Sequence, residues 1–216
     1  MMKSAQNGEA HRIENDPGSI GDGDGSGVTD LPARVLIVGG SNSVRYTPHV
    51  EMQLKGIAQV ERVPDNARST RYTLERLEGW LGSRNWHIIH FNWGMHDLTR
   101  VDGAPPQVPL DEYERNLDSL VPRLQRAADR LIWATTMSML PEHQPRRRLE
   151  DILEYNRVAG KVMARCQVPV QDLFAFTATR PELFGEDGLH FTDEGYRTLG
   201  EVIGEAIKEA IRGAPR

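Results

Sequence analysis

Residues 33–40, ARVLIVGG, form an apolar run that ends at two glycines. WHIIHFN at 86–92 and RLIWATT at 130–136 repeat this form, a short apolar stretch bounded by polar residues. Such runs predict strands apolar on both faces. AQVERVP at 58–64 alternates like a strand, and VPVQDLF at 168–174 reads as a fifth. Between these stretches the apolar spacing changes to three and four, the helical period. Leu74, Leu77 and Leu81 predict a helix over 70–82, and Leu117, Leu120, Val121 and Leu124 another over 110–128. Leu149, Ile152, Leu153 and Val162 mark a helix over 146–165, and a long last helix fills 192–212 with Thr192 as N-cap. Residues 44–55 are mixed and predict a short helix or a loop. Strands alternating with helices give an α/β fold, with a parallel sheet covered on two sides. In such sheets the ligand crevice lies at the carboxyl ends of the strands.

Composition narrows the picture further. A chain of 216 residues with 38% hydrophobic and 26% charged residues is an ordinary soluble composition within reach of one core. The net charge of -5 argues against an electrostatic nucleic-acid binder. Arg146, Arg147 and Arg148 are the one sharp basic run and read as a solvated helix start. Cys166, the single cysteine, reads as a small buried core residue and excludes a disulfide within the chain and zinc-type spacing. Residues 1–30, with GDGDGSG at 21–27, read as a flexible tail ahead of a domain over 31–216. No stretch approaches the eighteen or so apolar residues of a membrane span, and MMKSAQNGEAHRIEND lacks the apolar region of a secretory signal. A cytoplasmic protein is expected.

Three strand-end segments carry candidate chemistry. In GGSNS at 39–43, Ser41 follows a buried strand on a tight turn. No Walker lysine or third glycine follows, so a phosphate loop and a dinucleotide fingerprint are excluded. A serine on such a turn is an exposed nucleophile or a helix cap. In GEDGLHFTDEGY at 185–196, Asp187 and His190 stand three apart, so one turn brings both to one side. They read as a carboxylate–imidazole pair facing Ser41, or as a capping Asp with a surface His. In FNWGMHDL at 91–98, Gly94 permits close backbone approach, His96 is a hydrogen-bond donor, and Asp97 reads as structural. Trp93 is the tryptophan placed to stack on a sugar ring.

Together VLIVGGSNS, GMHD at 94–97 and DGLH at 187–190 resemble the blocks of the SGNH hydrolases, the GDSL-type lipase/esterase superfamily, over about residues 33–212. The resemblance implies a flavodoxin-like three-layer α/β/α sandwich with a central five-stranded parallel sheet. It implies ester hydrolysis with no metal and no cofactor, by a Ser41, His190 and Asp187 triad. Ser41 N–H, His96, Gly94 and Asn66 are the oxyanion donors it suggests. Three positions depart from the family pattern: Gly40 replaces an Asp, His96 replaces an Asn, and PDNARST at 64–70 has Ala67 and Arg68 where a glycine belongs. By analogy the substrate is a small acyl ester, acetyl in the family's manner, of a small molecule or carbohydrate, with no nucleic-acid or membrane partner. A catalytically impaired binding module and an acyltransferase remain alternatives, and a nucleotide-binding regulator is a weaker one.

Overall fold

The structure, a computed structural model, describes residues 32–83 and 85–213. The tail expected at 1–30 lies outside the described residues. The apolar runs become strands β1 (Ala33–Val38), β3 (Trp86–Phe91) and β4 (Ala128–Ala134), joined by β2 (Ala58–Arg62) and β5 (Val170–Gln171). All pairings are parallel, in the order β2-β1-β3-β4-β5. This is the five-stranded parallel sheet that the resemblance implies. The order reverses between β1 and β3, and that switch point opens a crevice above the sheet. Val38 stands opposite Phe91, and Phe91 opposite Trp133. β1 and β3 therefore end level and β4 runs one residue further, so that Gly39, Asn92 and Thr135 leave the sheet side by side.

Alternation along β1 sorts its side chains into two cores. Leu36 and Val38 join Phe91 and Trp133 under helices α2 (Thr70–Leu74), α3 (Leu77–Leu81), α4 (Leu110–Ala127) and α5 (Leu149–Arg165). Val35 and Ile37 join Ile88 and Ile132 under α1 (Ser41–Gln53) and α7 (Asp193–Arg212). Each such buried aliphatic side chain contributes roughly 1.5–3 kcal/mol relative to exposure. Two covered faces make the sheet the middle of three layers, as expected. Helix α1 lies very close to α7. A Cβ on Gly200 would come within 2.3 Å of His49 Cβ, and one on Gly204 within 2.7 Å of Gln53 Cβ. Only glycine permits that approach.

Several boundaries differ from the sequence reading. Helix α1 starts at Ser41 itself, not after it. The helix expected over 70–82 is two short ones: Ser69 caps α2 by accepting from Tyr72 N–H, and the chain breaks at Glu75 and Arg76. Helix α5 starts at Leu149, with the arginine run ahead of it. The fifth strand shrinks to two residues because Asp172 accepts from Ala175 N–H and opens α6 (Leu173–Ala178) instead. Cys166 is half-buried at the C-cap of α5, not enclosed in the core. Among the described residues, no helix is long and apolar enough to cross a membrane.

Candidate active site

Ser41 is the first residue of α1, set at the mouth of the crevice by Gly39 and Gly40. A helix's first N–H groups have no partner within the helix, so Ser41 N–H stands at a positive helix end. Asp187 and His190 lie in a loop clamped by the antiparallel bridge Phe184–Phe191, whose rings stack with centroids 4.6 Å apart. Asn42 ties this loop to α1: its Nδ2 donates to Leu189 O, and its Oδ1 accepts from Tyr196 O–H at 2.8 Å.

The three residues meet. Ser41 Oγ lies 2.8 Å from His190 Nε2, and His190 Nδ1 lies 2.6 Å from Asp187 Oδ2. Asp187 Oδ1 accepts the backbone N–H groups of Leu189 and His190 at 2.9 and 2.8 Å. Partial burial pushes the Asp187 pKa up, but the bonds from the His190 side chain and from these two amides outweigh it and bring it down to about 2. An ionised Asp187 can only accept, so the proton on His190 sits at Nδ1. In the neutral ring Nε2 is then an acceptor, and Ser41 O–H donates to it. This geometry can withdraw a proton from Ser41 as its oxygen attacks an electrophile.

The opposite wall holds the departures from the family pattern. A Cβ on Gly40 would lie 3.6 Å from His96 Nε2 and 3.7 Å from Asn66 Oδ1. A Cβ at position 40 would therefore rest in ordinary contact with the imidazole. The backbone of the stretch 64–70 is already engaged: Ala67 N–H donates to Gly39 O at 3.1 Å, and Arg68 N–H to Asn66 Oδ1 at 2.9 Å. Arg68 adopts φ +47°, the left-handed conformation that favours glycine.

A cavity of about 130 Å3 joins the two walls, with Gly40, Ser41, His190, His96, Thr136 and Arg147 among its lining. Asn66 and Gly94 do not line it. Gly94 has φ +140°, and a Cβ there would strike Thr136 Oγ1 at 2.3 Å, so its place is under the crevice floor. Burial lowers the His96 pKa, and the charges of Arg147, Arg68 and His190 lower it further. His96 is therefore neutral near pH 7, with one N–H to offer. Asp97 is fully buried beneath it. Its Oδ1 accepts Thr70 N–H and O–H at 2.9 and 2.5 Å, Asn116 Nδ2 donates on to Thr70 Oγ1 at 3.0 Å, and its Oδ2 has no partner. Burial raises the Asp97 pKa to about 7 against the pull of the Thr70 bonds.

Trp93 is not a sugar platform: it is 1% exposed, and its Nε1 donates to Thr73 Oγ1 at 2.9 Å. Arg147 was hidden from the sequence reading inside a run taken as solvated, yet it is half-buried and lines the cavity. A wider groove of about 810 Å3 lies along the opening half of β4, at Ala128–Ile132, away from the strand ends that hold Ser41 and His96. Among the described residues, no three His, Cys, Asp or Glu side chains are grouped to hold a metal ion.

The solved structures most similar to the chain include a lipase/acylhydrolase from Enterococcus faecalis, at TM-score 0.69 and 22% identity over 85% of this chain and 98% of that one. An acetyl xylan esterase, AlAXEase, follows at TM-score 0.68 and 17% identity, over 81% and 99%. Axe2, an acetylxylan esterase from Geobacillus stearothermophilus, has TM-score 0.66 and 19% identity, over 85% and 95%. At these identities the likeness establishes the fold. No curated protein matches the sequence. The sequence signature of the GDSL-like lipase/acylhydrolase family matches residues 19–198. With that match across most of the chain and the same fold beneath it, the chain belongs to the GDSL-like lipase/acylhydrolase family of serine ester hydrolases.

Proposed function

We propose that the protein hydrolyses small acyl esters, acetyl esters foremost, through Ser41, His190 and Asp187, and that the alcohol half is a carbohydrate or another small molecule. The observation that carries this reading is the bonded relay from Ser41 Oγ through His190 to Asp187, at 2.8 and 2.6 Å. Ser41 Oγ attacks the ester carbonyl while His190 Nε2 takes its proton. Asp187 holds the ring in the required tautomer and stabilises the imidazolium. The carbonyl oxygen becomes an oxyanion, met by Ser41 N–H and the His96 ring N–H. Collapse expels the alcohol, which takes the proton from His190 and leaves an acyl-Ser41. Water, activated by His190, then releases the acid.

The cavity of about 130 Å3 supports a short acyl group. Two of the similar structures are named acetyl xylan esterases, which supports an acetylated carbohydrate. A binding module that had lost catalysis would not need the bonded relay.

The test is hydrolysis of p-nitrophenyl acetate by the protein beside Ser41→Ala. Wild-type turnover that falls by roughly 10³-fold or more in the variant upholds the reading. Equal rates in the two proteins would overturn it. Product analysis with added alcohols separates hydrolysis from transfer.

A further inference from the structure

We propose that Arg147 makes this site selective for anionic esters, by holding a carboxylate of the substrate beside Ser41. The inference deepens the proposed esterase function and rests on it.

Arg147 lines the same cavity as Ser41, His96 and His190. It is half-buried, unlike its exposed neighbours Arg146 and Arg148. Other arginines pair with acids: Arg71 with Glu112, Arg100 with Asp151, Arg123 with Glu78 and Arg165 with Asp118. Arg147 has no carboxylate partner among the described residues. Its Nη1 donates to the neutral Gln144 Oε1 at 2.7 Å, and its Nε is buried with no partner. The Asp187 charge reaches Arg147, but no hydrogen bond joins the two, and the Asp187 oxygens bond the His190 ring and two backbone amides instead. Gln144 instead connects the two residues, since its Nε2 donates to Asp187 O at 2.5 Å. The guanidinium is thereby fixed against the loop that carries His190.

Withdrawing a cation from water without a partner costs free energy, so a fold rarely keeps one for stability alone. Nearby charges make the vacancy specific. Arg147 and Arg68 both act on His96 as cations, and Asp187 is the carboxylate whose charge reaches Arg147. Arg147 is the one arginine or lysine among the described residues that line the cavity, and no carboxylate among them lines it. A planar guanidinium with free N–H groups matches the two oxygens of a carboxylate.

Two matched pairs of probes test this. Phenyl acetate against 3-acetoxybenzoate places the charge on the alcohol half, and 4-nitrophenyl butyrate against 4-nitrophenyl succinate places it on the acyl half. The quantity read is the ratio of kcat/KM, anionic over neutral, within each protein. In the wild type the ratio should exceed one in at least one pair and fall as salt rises. Arg147→Gln should lower it by about tenfold or more, chiefly through KM, and Arg147→Lys should fall between. A wild-type ratio that never exceeds one, or one that survives in Arg147→Gln, overturns the proposal. Titration with the carboxylate products, 3-hydroxybenzoate and succinate, reads the contact without turnover. Binding that is lost in Arg147→Gln would uphold the anion site even if no ester were cleaved, in which case the esterase reading alone would fail. No binding of either product by the wild type, with no ester cleaved, overturns both.

Discussion

Asp187 and Asp97 each lie within three residues of a histidine at one crevice, and the fold treats them in opposite ways. Asp187 is 49% exposed along its side chain and has donors on both oxygens, so its pKa falls to about 2. Asp97 is 0% exposed, with one oxygen served by Thr70 and the other unpartnered, so its pKa rises to about 7. Spacing explains the split. Residues 187 and 190 close a turn and face one another. Residues 96 and 97 are adjacent and point apart, His96 into the cavity and Asp97 beneath it. A carboxylate next to a histidine in sequence is therefore not its partner; water access and donor count decide its charge.

The sharpest way to break this comparison is Asp187→Asn. With the amide in place the His190 tautomer is no longer enforced, and kcat should fall by about 10⁴. Circular dichroism and the melting temperature should change little, because the residue is exposed. A loss of activity below tenfold would mean that Asp187 does not orient His190. Next, His96→Ala should cost roughly 10² to 10³ in kcat if its N–H serves the oxyanion. His96→Asn should recover most of that loss, and equal rates for the two variants would exclude the donor role.

Asp97 predicts a pH effect on stability. Its folded pKa of about 7 lies above the ordinary carboxylate value, so the folded state holds its proton more tightly than the unfolded state. The resulting stability is fully present below about pH 4 and is lost as pH rises through 7. Urea unfolding should show a decline of a few kcal/mol across that window from this group, and Asp97→Asn should flatten it. An unchanged slope in the variant would place the proton elsewhere. The smallest effect belongs to the exposed pair Arg45–Asp193, at 3.0 Å. Arg45→Ala should change the unfolding free energy by less than about 1 kcal/mol.

The sheet was legible because β1, β3 and β4 are covered on both faces and read as short apolar runs. Helices α4 and α7 were legible for a related reason, since each presents one apolar stripe to a core. The start of α1 was not, because Ser41, Asn42 and Ser43 are poor helix formers and Pro48 sits inside the helix. Packing against α7 overrides that propensity. Two short helices where one was expected reflect a break at Glu75 and Arg76 that leaves the leucine spacing intact. The positions of Ser41, Asp187 and His190 followed from strand ends and turn spacing. The fate of Trp93 did not, since a strand-end tryptophan looks the same whether it faces the crevice or the core. Arg147 was masked by the two arginines beside it, for charge patterning does not tell which member of a run turns inward.

The separation of Ser41 and His190 along the chain has a consequence during synthesis. Ser41 is made 149 residues ahead of His190, and α7 follows His190 directly. During synthesis the sheet and the serine can form while the histidine is still inside the ribosome. The bond between them cannot close before His190 has emerged, and α7 follows it in the chain. A nascent chain therefore carries its nucleophile for most of its synthesis without the means to activate it.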